Sequence, residues 1–153
     1  MSKAFTKESD EVELFAPPRA PLPPGTPNYI TKAGAEKIHA ELAALLARKK
    51  SLSETELTKF DVRIQQLQVD IASFVVVEPS ASDMVKFGAK VTFQRGAERE
   101  TYSIVGVDEI DLDRNHISWL SPLARALRSR RVGDRVQFQS PGGRADLEIL
   151  EIA

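Results

Sequence analysis

Three acids stand closest to the point where two helical segments meet, Glu54, Glu56 and Asp61. Carboxylates converging on such a turn could hold a divalent cation and its water, the basis of metal-assisted hydrolysis. Their spacing argues against that role. Glu54 and Glu56 are two residues apart, so on a helix they face different ways. Glu56 also stands three residues after Ser53, the pattern of a capping box. Asp61 follows apolar Phe60. The four residues Ser53, Glu54, Glu56 and Asp61 are therefore expected to be a structural turn and not a metal site. His39 and His116 are the only histidines, far apart and without neighbours at ligand spacing. With no cysteine, a disulfide, a thiolate site and a cysteine nucleophile are all excluded. No serine lies in a nucleophile-elbow pattern. The sequence predicts neither a catalytic residue nor a cofactor.

A second constellation is basic. Arg125, Arg128, Arg130, Arg131 and Arg135 cluster within one stretch, suited to an acidic protein surface or to phosphates. Asp108, Glu109, Asp111, Asp113 and Asp134 could balance it as an ordinary solvated face. The net charge of −1 argues against bulk electrostatic binding to nucleic acid. Seven Phe, two Tyr and one Trp show no spacing that marks an aromatic-lined pocket.

The elements that would position these groups follow from local pattern. Residues 1–30 read as a flexible leader. Its Glu8–Glu13 run is acidic, and Pro17, Pro18, Pro21, Pro23, Pro24 and Pro27 favour extended chain. Phe5, Leu14 and Phe15 could anchor a partner but are expected to be idle. Thr31 is a good N-cap, and Ala35, Ile38, Leu42 and Leu45 make an apolar seam behind it. Arg48, Lys49 and Lys50 close that helix where its dipole favours cations. A second helix starts after Ser53, with Leu57, Phe60, Ile64, Leu67, Ile71 and Phe74 at three-four spacing. Two seamed helices joined by a tight turn predict an antiparallel coiled-coil hairpin over 31–75. Its arm, Lys32 to Lys50, would be about 28 Å long.

From Val75 the pattern turns to strands, and Pro79 stops any helix. Strand-like runs occupy 89–94, 100–105, 116–119, 135–139 and 145–151, mostly alternating polar and apolar. Ser121 caps a short helix with Pro122 at its first position. Residues 76–153 thus read as a small antiparallel β domain with one helix, and the whole chain as α+β. No run approaches the roughly 20 apolar residues a membrane span needs, and the N-terminus lacks a signal-peptide pattern. The expected location is the cytoplasm.

Several stretches together carry a resemblance: Phe87-Gly88-Ala89, IVGVDEI (104–110), Ile117-Ser118, SPLARAL (121–127), Val132-Gly133-Asp134 and Pro141-Gly142-Gly143. With NYITKAGAEKIHAEL (28–42) ahead of them, the chain resembles the bacterial Gre transcript-cleavage factors, on the GreB side. The resemblance implies an FKBP-like C-terminal domain that docks on the β′ subunit of RNA polymerase, at the rim of the secondary channel. It also implies a coiled coil that enters the channel. There an Asp and a Glu, in a stretch like Gly-Asp-x-x-Glu-Asn-x-x-Tyr, help hold a catalytic magnesium.

Two departures from that pattern shape the expected function. Between Leu46 and Arg63 stands only ARKKSLSETELTKFDV, so the acidic tip is missing and the arm is shorter by roughly 15 Å. The residue before the family's Ser-Pro is commonly acidic or an amide, and here it is Leu120, after Trp119. The expectation is a non-cleaving GreB-like regulator, monomeric, docking through Leu120, Ser121, Pro122 and Arg125. From there it would modulate transcription or exclude other channel-binding factors, touching nucleic acid only indirectly. One alternative is an active cleavage factor using Glu54, Glu56 or Asp61. Another is a self-associating module recruited by Phe60 and Phe74.

Overall fold

The computed structural model describes Phe15, residues 18–78 and residues 80–153. Phe5, Leu14, Pro17 and Pro79 lie outside the described residues. A first strand, β1 (Asn28–Thr31), leads into helix α1 (Lys32–Arg48), a 3-10 turn (Lys49–Ser51) and helix α2 (Glu54–Ser73). Strand β2 (Phe74–Val77) follows without a loop. Thr31 caps α1 by accepting from the Gly34 amide at 3.1 Å. Lys49 meets Asp61 at 2.6 Å near the turn and Glu41 meets Arg63 at 2.8 Å further back, so the helices run in opposite directions. Between them are buried Ala35, Ile38, Leu45, Phe60, Ile64 and Leu67, the residues of the apolar seams. Burying the Ile, Leu and Phe side chains among them contributes about 1.5–3 kcal/mol each.

Two features of this half differ from the sequence reading. Asn28–Ile30, grouped with the leader, belong to β1, which pairs in parallel with β2 from Asn28↔Phe74 to Thr31↔Val77. That pairing ends α2 at Ser73 and takes Phe74 out of the helical seam, because β-branched Val75–Val77 suit a strand better than a helix. Phe74 still packs against the helical core, from the strand. The Pro-rich stretch, expected to be free, is held to the helices. Phe15 sits edge-on to Phe60 with ring centroids 5.2 Å apart, and Arg19 reaches Asp70 of α2. Its prolines do favour extended chain, but one apolar ring and one cation pin that chain to complementary groups.

The rest of the chain forms a five-stranded sheet in the order β5-β4-β3-β7-β6. Its strands are β3 (Lys90–Arg95), β4 (Glu98–Val105), β5 (His116–Ser118), β6 (Arg135–Ser140) and β7 (Gly143–Ile152). The sheet is mixed, not antiparallel as expected, because β5 pairs in parallel with β4. Between those strands, 3-10 turns at Val107–Glu109 and Leu112–Arg114 carry the chain back before β5 starts, as parallel pairing requires. Helix α3 (Pro122–Leu127) presses Ala124 and Leu127 onto one sheet face, over Val91, Phe93, Ile104, Leu147 and Ile149. No helix among the described residues is long and apolar enough to cross a membrane.

Candidate functional site

The segment after β5 turns sharply through backbone and hydroxyl bonds. The Trp119 amide donates to Val105 at 2.9 Å, and the Ser121 amide donates to the Ser118 carbonyl at 2.9 Å. The Ser118 hydroxyl accepts from the Leu120 amide. Ser121 then caps α3, its hydroxyl accepting from the Ala124 amide at 3.3 Å, with Pro122 at the first helical position. Because Ala124 and Leu127 face the core, Pro122, Arg125 and Arg128 face solvent. Leu120 and Ser121 are half-buried beside them. The four residues expected to dock therefore lie on the turn into α3 and on α3 itself, Pro122 and Arg125 exposed and Leu120 and Ser121 half-buried.

Four of the five acids that might have neutralised the nearby arginines have other partners, and Asp113 is exposed. Asp108 holds Arg19, Asp111 pairs with Arg114, and Asp134 accepts from the Arg131 amide. Glu109 accepts from the Thr31 and Gly106 amides at 3.0 and 2.8 Å, and from the Thr31 hydroxyl. Of the cluster, Arg131 pairs with Asp83 at 2.7 Å. Arg125, Arg128, Arg130 and Arg135 are exposed and form no ion pair among the described residues.

At the helical turn the acids are separated. Ser53 and Glu56 make the capping box, with the Ser53 amide 3.4 Å from Glu56 Oε2 and the Glu56 amide 3.5 Å from Ser53 Oγ. Asp61 is paired with Lys49, and Glu54 is an exposed first-turn residue. The Arg48 guanidinium lies 5.4 Å over the Phe60 ring. Magnesium needs several hard oxygen ligands around one point. Among the described residues no three His, Asp or Glu side chains gather around one point, and the three acids of the turn sit in separate settings.

Sequence reasoning missed two arrangements, both spanning long stretches of chain. The first is an aromatic-lined pocket. Tyr29 of β1 packs on Trp119 with centroids 4.9 Å apart and on Phe87 at 5.7 Å, and the three rings border a cavity of about 240 Å³. The second is a polar joint between the helices and the sheet. Arg19 Nε meets Asp108 Oδ1 at 2.5 Å and Nη2 meets Oδ2 at 3.2 Å, and Asn28 Nδ2 bridges Asp108 and Ser73. The Asp108 bond and charge raise the Arg19 pKa further, against the opposing effect of burial. Burial, and then the Asp108 charge, push the Asp70 carboxyl above its ordinary range. One local signal did exist: Gly34 in the first turn of a helix is unfavourable unless something needs the space. A Cβ there would lie 1.9 Å from Glu109 Oε1.

The comparisons with known proteins bear on this geometry. The family model described as "Transcription elongation factor, GreA/GreB, C-term" matches residues 79–153. Transcription elongation factor GreB of Neisseria meningitidis (serogroup A) is 37% identical, over 83% of this chain and 94% of that protein. The chain belongs to the GreA/GreB family of transcription elongation factors. A GreA from Geobacillus kaustophilus is 34% identical over 80% of this chain and 94% of its own length. Among solved structures, GreA factor homolog 1 (Gfh1) of Thermus thermophilus matches 84% of this chain and 99% of its own. Its identity is 21% and its TM-score 0.43. The matched family region contains the whole five-stranded sheet, α3 and the Leu120–Arg125 surface of this Gre-family protein.

Proposed function

We propose that this Gre-family protein docks at the rim of the RNA polymerase secondary channel, on the β′ subunit, and does not promote RNA cleavage. Residues 76–153 act as an FKBP-like docking domain, with Leu120, Ser121, Pro122 and Arg125 facing the polymerase. The helical pair from Lys32 to Ser73 acts as a short coiled-coil arm, which the leader enters through β1. The protein works as a cytoplasmic monomer, occupying the channel mouth and displacing other factors from it. The observation that carries this reading is the state of the acids at the helical turn. Glu56 is tied into the capping box, Asp61 is neutralised by Lys49, and Glu54 is exposed with no ion pair among the described residues. The helices of 17 and 20 residues also give an arm of only about 26–30 Å.

The test uses a stalled, backtracked polymerase complex in which RNA shortening is followed with an active cleavage factor. Added alone, this protein is expected to leave the RNA intact. Titrated against the active factor, it is expected to slow cleavage in proportion to occupancy. Magnesium-dependent shortening by this protein alone, lost when Glu54, Glu56 and Asp61 are replaced, would overturn the non-cleaving assignment. Absence of any competition at saturation would overturn the docking assignment.

A further inference from the structure

The leader and the helical turn carry opposite charges, and two contacts set the path between them. Arg19 approaches Asp70 at 3.8 Å and meets Asp108 at 2.5 Å. The Phe15 ring lies edge-on to Phe60, which is ten residues nearer the turn than Asp70 on the same helix. Ten helical residues rise about 15 Å, close to what four residues of extended chain can cover. From Arg19 back to Phe15 the leader therefore heads along α2 toward the turn. Phe60 is also where the basic end of α1 arrives. Its ring takes Phe15 with centroids 5.2 Å apart and the Arg48 guanidinium at 5.4 Å. The residues ahead of Phe15 thus start beside Arg48.

Those residues include Glu8, Asp10, Glu11 and Glu13, an acidic run with no cation inside it. At the turn, Arg48 and Lys50 are exposed and form no ion pair among the described residues, while Lys49 is held by Asp61. Phe60 lies about 10 Å along α2 from Ser53, and the six residues from Phe15 back to Ser9 span up to about 20 Å. The run therefore reaches the turn with length to spare. A segment tethered this closely meets its site at an effective concentration on the order of millimolar, so modest attraction between opposite charges suffices. We propose that the turn Arg48–Ser51 is a docking site for the chain's own acidic run Glu8–Glu13, seated there by Phe15 on Phe60. Seated, the leader masks the cations of the turn from other anions, and the end of the arm presents carboxylates. The competing site within the chain is the cluster of Arg125, Arg128 and Arg130, which has no such anchor. Seating of the leader is independent of where the protein docks.

The chain has no cysteine, so two introduced thiols have only each other to pair with. In the full-length protein, Ser9→Cys is combined either with Ser51→Cys at the turn or with Ser129→Cys amid the arginine cluster. Ser51 and Ser129 are both exposed. Closure of the disulfide within one chain, driven by oxidised glutathione at dilute protein, is followed by mass. Each rate is normalised to the reaction of the same thiols with iodoacetamide. The pair at 9 and 51 is expected to close at least about threefold faster than the pair at 9 and 129. Lys50→Glu, at an exposed position that leaves the packing of Phe60 alone, should slow the 9–51 closure by at least about threefold. Salt at about 1 M, where the screening length is about 3 Å, should slow it as well, and so should Phe15→Ala. A smaller preference for position 51, or a preference for 129, would overturn the proposal. A 9–51 rate that Lys50→Glu leaves within about threefold would overturn it too, since closure would then reflect chain length without attraction.

Discussion

Replacing Arg19 by alanine should loosen the joint between the helical pair and the sheet, and the size of the effect can be worked from its contacts. The guanidinium meets Asp108 through two bonds, at 2.5 and 3.2 Å, and approaches Asp70 at 3.8 Å. Hydrogen bonds to charged groups contribute about 1.5–3 kcal/mol each when well buried. Arg19 keeps 28% of its side chain exposed, while Asp70 and Asp108 keep 15% and 11%. Solvent screening on the arginine side reduces the pair of bonds to about 2 kcal/mol in total. The variant also leaves two carboxylates near each other without the cation between them.

That residue of charge sets the pH dependence. The Asp70 carboxyl is already raised, by burial first and then by Asp108, and Arg19 is one of the groups holding it down. A carboxyl raised in the folded state costs stability above its folded pKa, and the cost vanishes below the unfolded value. Removing Arg19 raises it further and enlarges that cost. The deficit should therefore be about 2 kcal/mol near pH 7 and shrink as the pH falls through the raised range of Asp70 toward the ordinary carboxylate value. Urea unfolding followed by Trp119 emission across that range measures it. Arg19→Lys should recover only part of the loss, because an ammonium cannot span both Asp108 oxygens as the planar fork does. A neutral-pH deficit below about 0.5 kcal/mol, the scale of a surface pair, would refute the reasoning. A deficit that grows in acid would refute it equally.

Gly34→Ala should destabilise the protein by about 2 kcal/mol, although alanine gains about 1 kcal/mol over glycine in helix propensity. Its Cβ would fall 1.9 Å from Glu109 Oε1, and that carboxylate cannot move without releasing Thr31 and Gly106. Thermal melts by circular dichroism would show the sign, and a stabilised variant would contradict the clamp. Ser53→Ala should cost about 0.5–1 kcal/mol, the lower part of the N-cap range, since both capping bonds are long at 3.4 and 3.5 Å. It should also leave competition for polymerase unchanged, which the cleavage assay would register.

Much of the local structure could be read from residues one to four apart. Thr31, Ser53 and Ser121-Pro122 announced the three helix starts, and the three-four spacing of Ile38, Leu45, Phe60, Ile64 and Leu67 announced a shared apolar core. The five runs of the sheet lie within a few residues of the observed strands, since alternation is a nearest-neighbour signal. The engagement of Glu56 by Ser53 is of the same kind.

What the sequence by itself determined was therefore the type and order of elements, because caps, seams and alternation act within a turn or a strand. Tertiary structure decided how they join. The β1–β2 pair unites Asn28 with Phe74, Arg19 reaches Asp108 across 89 residues, and β5 enters the sheet in parallel. Tyr29, Phe87 and Trp119 come from three separate parts of the chain to border one pocket. An ion pair or a pocket wall needs only the right groups in reach, and no local spacing records which distant group that will be.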